Sequence, residues 1–370
     1  MSAGHCLRSR TLKGDDLMKI LISGYNTTKE MIESIMESGD DIQVICEDNV
    51  VKAADMACAE LFDILFFMED IAENPTISPK ARKGFPIKTL FIGMQNGNPD
   101  STKSSEAFID HMCRSLDERN NLTILKNGNL YAAYDPIGSM WSSYTSINQC
   151  MAAVMKRAKF LLKTHRIGCV NMGTAENLNT MNKAALSEFA EYAITAAAVF
   201  QEKIPHKGAK FLGNASMRDK ENGNIAWMSK RGVDKEALGA NSFVPTMMSG
   251  DIRIMPDGNI SDNKVWFWCD DNKTKPSRDA AVQLVLYNKL QNINYMIHSH
   301  CYVKDAVFTK TAIPCGAIEE ASEVLSIIDD MPKSGFYAIN LIGHGCIIMA
   351  ESLDELKKAE FITREHPELM

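Results

Sequence analysis

Residues 275–300 read KPSRDAAVQLVLYNKLQNINYMIHSH. Two periodicities meet in this stretch. The first part predicts a helix capped by Ser277, with Asp279 in its first turn complementing the helix dipole. The helix runs straight into NYMIHSH, an apolar strand that ends on His298 and His300. Residues i and i+2 of a strand point to the same side, so these two imidazoles share a face. At that spacing they can bind one divalent ion. A third histidine, His344 in INLIGHGC (339–346), follows another apolar strand and sits between Gly343 and Gly345. Glycine neighbours let the chain turn sharply and let other groups approach the ring. Three histidines at the ends of two buried strands predict a metal site with an open coordination position, the donor set a catalytic zinc uses. The N-terminus of the preceding helix, with Asp279, is expected to fold back beside it.

Around this stretch the second half mixes helices and strands. NKAALSEFAEYAITAAAVFQ (182–201) reads as a long Ala-rich helix, apolar almost all round and therefore buried. KFLGNASMRD, GNIAWMSKRG, DIRIMPDG and VWFWCDD (210–271) are rich in strands and turns, with MPDGN as a hairpin-like turn. Trp266 and Trp268 alternate and are expected in the core. Helix EEASEVLSIIDDM, strand FYAINLIGHG and helix SLDELKKAEFI close the chain. Glu319 and Glu320 read as first-turn carboxylates complementing the helix dipole, with a replacement acid/base role as the alternative.

The first half alternates strand and helix: KILISG, KEMIESIMES, DIQVICE, VKAADMACAELF, DILFFM, IKTLFIGM, SEAFIDHMCRSLDE, LTILKNG, SINQCMAAVMKRAKFLLK and, as a sixth strand, IGCVNMG (167–173). This alternation predicts a doubly wound, Rossmann- or flavodoxin-like α/β domain over 18–175. The polar stretch TAENLNTMNK marks its boundary, and a second domain spans 180–370. The first turn, GYNTTK (24–29), is neither G-x-G-x-x-G nor a P-loop; it reads as a loop capped by Asn26 or Thr27, and the ligand of this domain is unassigned.

Composition narrows the class. The chain has 370 residues, 45% hydrophobic and 24% charged, which excludes wholesale disorder and suits about two domains. A net charge of −7 argues against nucleic acid as a partner. No apolar run approaches the roughly 18 residues of a membrane span, and polybasic clusters are lacking. Residues 1–17 are polar, have no apolar signal core and are expected to be a disordered leader. The ten cysteines are scattered, with no C-x-x-C pair, and read as reduced thiols of a cytoplasmic protein.

Five stretches, in order, resemble the class II aldolase/adducin family, typified by L-fuculose-phosphate aldolase and L-ribulose-5-phosphate 4-epimerase. They are GNASMR (213–218), MSKRGVDKEAL (228–238), KPSRDAAVQLVLY (275–287), HSH (298–300) and GHG (343–345). The resemblance covers roughly 180–362. It implies an α/β/α domain with a mainly antiparallel central sheet. His298, His300 and His344 would hold Zn²⁺, or Mn²⁺, Fe²⁺ or Co²⁺ in its place. Asn214 and Ser277, with backbone groups of Gly213 and Gly232, would bind substrate phosphate. Asp279 falls where the aldolases place a Glu and the epimerases an Asp, the carboxylate that moves the proton. The implied chemistry is cleavage of a carbon–carbon bond in a sugar phosphate or sugar acid, with the metal stabilising an enediolate. Homo-oligomers with sites at subunit junctions are likewise implied.

The sequence departs from that pattern in three places. The segment between His300 and Pro314 is short. The family's C-terminal segment usually gives a tyrosine to a neighbouring site, whereas Tyr302 and Tyr337 are the only tyrosines after His300. Arg231 and Arg278 replace small hydroxyl residues or Gly, and two guanidiniums suit bidentate binding of phosphate or carboxylate. A lyase is therefore the leading expectation. An epimerase or dehydratase at the same site, and a non-catalytic module as in adducin, are the alternatives.

Overall fold

The computed structural model describes residues 17–24, 27–39, 41–70, 89–97, 114–115, 118, 120–134, 144–174, 183–203, 213–234, 237–248, 252, 263–271 and 273–362. The chain divides into two compact units, Met1–Leu162 with His366–Met370, and Lys163–Glu365. The leader, most of SEAFIDHMCRSLDE and DIRIMPDG, and most of the TAENLNTMNK boundary lie outside the described residues.

The first unit contains β1 (Met18–Ser23), α1 (Lys29–Glu37), β2 (Ile42–Glu47), α2 (Val50–Ala59), β3 (Ile64–Asp70), β4 (Leu90–Asn96), β5 (Leu122–Asn127) and β6 (Leu130–Tyr134). Helix α3 (Ile147–Arg166) follows. The sheet runs β2-β1-β3-β4-β5-β6; its first five strands are parallel, and β6 returns antiparallel to β5. Both faces are buried, so the central strands read as continuous apolar runs. Ile20, Ile22, Phe66 and Ile92 pack with Met31 and Ile35 of α1 and with α3. Leu21, Leu65, Phe67 and Phe91 point the other way, onto Val50, Ala53 and Ala57 of α2. The N-cap of α1 is Thr28, whose hydroxyl accepts from the Met31 N–H; Thr27 instead donates to the Gly24 carbonyl. Hairpin strand β6 was not anticipated. Its signal was Asn127-Gly128, with Gly128 at φ 58° in the turn.

IGCVNMG does not join this sheet. Its strand β7 (Gly168–Asn171) pairs in parallel with β11 (Lys264–Phe267), at the edge of the second unit's sheet, and Cys169 packs against that unit's core. By contacts the chain divides between Leu162 and Lys163, within α3, so this strand belongs to the second unit. The periodicity of a short strand identifies the strand but not its partner.

The second unit is built on nine strands in the order β14-β15-β16-β12-β8-β9-β10-β11-β7. Besides β7 and β11 these are β8 (Asn214–Arg218), β9 (Ile225–Ser229), β10 (Phe243–Met247), β12 (Tyr295–Ser299), β14 (Val307–Phe308), β15 (Phe336–Leu341) and β16 (Gly345–Ala350). Pairing is antiparallel from β15 through to β11 and parallel at the two outer edges. A separate two-stranded sheet joins β13 (Tyr302–Val303) and β17 (Phe361–Ile362).

Helices cover both faces. On one, Leu186, Phe189 and Ala190 of α4 (Lys183–Lys203) pack on Trp227, Tyr295 and Ile297. On the other, α5 (Ala280–Lys289) and α6 (Glu319–Asp329) pack on Met228, Met296, Ile339 and Met349. A short turn of helix, α7 (Leu353–Leu356), precedes β17. In β11 the core side chains are Val265 and Phe267. Trp266 and Trp268 lie on the opposite face and are only half-buried, so their alternation is right but their expected side is not.

Candidate metal centre

The centre forms where β12 ends. Antiparallel pairing with β16 and β8 holds this strand in the middle of the sheet and sets His298 opposite Ile347 on one side and Asn214 on the other. His300 follows two residues on. His344 comes from the turn between β15 and β16, closed by its own N–H donating to the Leu341 carbonyl. That turn lies directly against the end of β12: a Cβ on Gly345 would sit 2.0 Å from the Ser299 carbonyl oxygen and 2.7 Å from the His300 Cα. Only glycine permits this approach, which carries His344 to the other two rings.

The three imidazoles are buried, at 4, 3 and 1% exposure, and one ligand nitrogen of each lies within 4.8 Å of the others. Ring centroids are 5.0 Å apart for His298–His300, 4.5 Å for His298–His344 and 5.2 Å for His300–His344. His298 Nδ1 donates to the Cys346 carbonyl at 2.9 Å. His344 Nδ1 donates to Glu320 Oε1 at 2.7 Å. Carbonyls and carboxylates only accept, so both rings carry their proton on Nδ1 and keep Nε2 as the donor atom. This fixing of tautomer and orientation is characteristic of metal-ligating histidine, and the donor set fits a divalent ion such as zinc.

Asp279 stands beside the trio but outside the cluster of ligand atoms. It occupies the N-cap position of α5, yet its side chain makes no capping bond. Oδ2 accepts from Asn214 Nδ2 at 2.8 Å, and Oδ1 from the Cys315 thiol at 3.0 Å. Asn214 is in turn held by Gln283, one turn along α5, whose Nε2 donates to its Oδ1. Burial pushes the Asp279 pKa up; His298, His344, the Cys315 hydrogen bond and Arg278 outweigh it and hold the carboxyl below the ordinary aspartate value. Burial, then the Asp279 charge, pushes the Cys315 thiol far up, so it is a hydrogen-bond donor here rather than a thiolate.

The remaining residues singled out in the sequence fall in two places. Gly213, at φ 83°, immediately precedes β8; a Cβ there would lie 2.8 Å from the His298 carbonyl oxygen. Ser277, Arg278, Arg231 and Gly232 lie on two adjacent loops. Ser277 N–H donates to the Ser229 carbonyl, Arg231 N–H to the Lys275 carbonyl, and Lys230 bridges Pro276. Ser277 does not cap α5 with its side chain, because the N-cap position belongs to Asp279. Arg231 and Arg278 both reach the surface, and neither makes an ion pair or side-chain hydrogen bond among the described residues. Partial burial, then the like charge of Arg278, lowers the Arg231 pKa.

Two residues were not assigned to the centre from the sequence, Gln283 and Cys315, and Glu320 entered only as an alternative acid/base group. Glu320 lies in the first turn of α6, as its reading as a helix-dipole carboxylate expects, and is in addition buried against His344; Glu319 beside it is half-buried. Gln283 carried one signal. It lies four residues after Asp279, on the same helix face.

Residues 206–359 match the family profile of the Class II Aldolase and Adducin N-terminal domain. Similar solved structures include an L-fuculose 1-phosphate aldolase, at 17% identity and a TM-score of 0.31 over 46% of this chain and 82% of that one. Another is the L-fuculose 1-phosphate aldolase of Glaciozyma antarctica PI12, at 12%, 0.29, 49% and 78%. A third is an aldolase II superfamily protein from Pseudomonas syringae, at 13%, 0.31, 49% and 73%. No curated protein matches the chain. The C-terminal half is a class II aldolase/adducin domain. No described helix is long and apolar enough to cross a membrane.

Proposed function

We propose that this domain is a metal-dependent class II aldolase-type lyase acting on a phosphorylated or acidic sugar. The observation that carries the reading is the convergence of three buried imidazoles within 4.8 Å, two of them with the tautomer fixed by a hydrogen bond, beside a carboxylate that is not one of their number. His298, His300 and His344 would hold Zn²⁺ or a similar divalent ion. Such an ion supplies Lewis-acid stabilisation of the negative charge that builds on a carbonyl oxygen as a carbon–carbon bond breaks.

The chain's own groups supply the rest. Asp279, its pKa lowered, is ionised at neutral pH and accepts a substrate proton in one direction and returns it in the other. Asn214 and Cys315 hold its two oxygens, so the carboxylate is oriented before substrate arrives. Arg231 and Arg278, with Ser277 and the backbone of Gly232 and Gly213, bind the substrate's anionic group. Asn214, already engaged with Asp279 and Gln283, serves that anion only through its remaining amide hydrogen.

A 4-epimerase or dehydratase is the second reading, favoured by an Asp at position 279, which is one bond shorter than Glu. The domain is further proposed to work as a homo-oligomer. The first unit, with its 2-1-3-4-5 parallel order, is proposed to be a doubly wound domain.

The deciding experiment is metal content per chain by elemental mass spectrometry, beside the His298→Ala/His300→Ala double variant. A screen of sugar phosphates and sugar acids for carbonyl products follows. About one divalent ion per chain, lost in the variant, together with retro-aldol turnover supports the lyase. Inversion without cleavage selects the epimerase. Absence of metal after zinc incubation removes both and leaves a binding module.

A further inference from the structure

We propose that Glu320 is the positioning residue of the metal centre: its buried carboxylate fixes His344 with Nε2 toward the ion and strengthens that nitrogen as a donor. The proposal rests on the metal-site reading above. Its observations are the 2.7 Å bond from His344 Nδ1 to Glu320 Oε1 and the burial of both side chains, at 1 and 5% exposure.

Burying a carboxylate is costly unless hydrogen bonds and charge compensate it. Two described features compensate Glu320. One is the His344 N–H. The other is its place in the first turn of α6, where the helix dipole favours an anion. The compensation runs both ways. A carboxylate on Nδ1–H pulls positive character onto the ring and raises the basicity of Nε2. It also selects the tautomer, which a ring alone in an apolar pocket would not.

The approach to α6 is built for this placement. Gly316, at φ 79°, lets the Pro314–Ile318 turn close under Arg278: a Cβ there would lie 2.9 Å from both Arg278 Cγ and Thr164 Cγ2. The turn is closed by Ala317 N–H donating to the Pro314 carbonyl at 3.0 Å. Cys315 in the same turn donates to Asp279. One short segment therefore supports the metal centre at one end and the neighbouring carboxylate at the other. Glu320 is an unsuitable proton carrier for the reaction, because it binds the side of the His344 ring opposite Nε2.

The test measures zinc affinity of the apo chain by competition with a chromophoric chelator. Wild type, Glu320→Ala, Glu320→Gln and Glu319→Ala are compared, with thermal midpoints of the apo forms alongside. Glu320→Ala is expected to bind zinc about 10- to 100-fold more weakly. Glu320→Gln, which still accepts from Nδ1 but carries no charge, is expected to fall between it and wild type. Glu319→Ala should match wild type.

Wild-type zinc affinity in Glu320→Ala overturns the proposal, even if its thermal midpoint falls, since a merely structural carboxylate would give that pattern. Weakening of equal size in Glu319→Ala also overturns it, because the effect would then belong to the helix end. Should Glu320→Ala fail to fold, Glu320→Gln decides alone: weaker binding sustains the proposal and equal binding overturns it. Failure of wild type itself to bind zinc would instead remove the metal-site reading beneath it.

Discussion

Gly345 and Ser299 lie so close that a Cβ on the glycine would sit 2.0 Å from the serine's carbonyl oxygen. The same glycine has φ 152°, a backbone conformation that L side chains rarely adopt. Steric exclusion and backbone strain therefore act at one position, and the turn bearing His344 depends on both being absent. Gly345→Ala is expected to destabilise the chain by about 2 kcal/mol or more, since strain alone accounts for about 1–3. It should also reduce zinc retention. Urea denaturation and chelator competition check the two effects; wild-type values for both would show that the turn can move aside without cost.

Asp279 separates from the metal ligands in a second prediction. With Oδ1 on Cys315 and Oδ2 on Asn214, the carboxylate is committed to those partners. Asp279→Asn should leave metal content at the wild-type level and lower turnover by about 10²–10⁴, the range for loss of a positioned acid/base. Loss of metal in this variant would make Asp279 a ligand after all.

The pH dependence of metal retention follows from the ligand set. Imidazole binds metal only when neutral, so protons and metal compete. Retention should be full above the unperturbed histidine pKa of about 6.5 and fall as pH drops below it. Asp279, held below the ordinary aspartate value, remains ionised through that window and does not contribute to the fall. Equilibrium dialysis against zinc from pH 8 to 5 would show this; retention unchanged across that whole range would count against neutral imidazoles as the ligands.

The two arginines predict anion binding. Arg231 and Arg278 stand together at adjacent loops with no carboxylate partner other than the shared neighbourhood of Asp279. Inorganic phosphate should bind the metal-loaded chain. The Arg231→Ala/Arg278→Ala variant should bind it at least about tenfold more weakly, as expected for loss of charge-assisted bonds of roughly 1.5–3 kcal/mol each. Calorimetric titration reads the difference, and an unchanged affinity would assign both residues to the solvated surface.

The first unit carries its own test. Arg114 pairs with Asp70 and Glu118, whose side chains are 3 and 8% exposed, and Gln95, Tyr134 and Asn120 join the network. Arg114→Met removes a guanidinium from two buried carboxylates. A loss of about 3 kcal/mol is expected, the low end for breaking buried pairs because Arg114 itself is 30% exposed. Denaturation by urea measures it, and a loss under 1 kcal/mol would mean water already screens the pair.

Some of this protein was settled by local pattern alone. Apolar runs and helical spacing gave the alternation of the first half. A strand's period of two put His298 and His300 on one side, and paired glycines flagged the His344 turn. These features depend on neighbours a few residues apart, and backbone geometry reads them directly. The tertiary structure decided everything that depends on which distant segment lies alongside. It placed β7 beside β11 rather than in the first sheet, because a four-residue strand carries no information on its partner. It turned Asp279 from a helix-dipole carboxylate into one held by Asn214, 65 residues away, and Cys315, 36 away. It set Glu320 against a histidine 24 residues on. A buried polar atom must find a partner somewhere, but composition and spacing do not say where; only the sheet register and the turn at Gly345 bring these groups within hydrogen-bond reach.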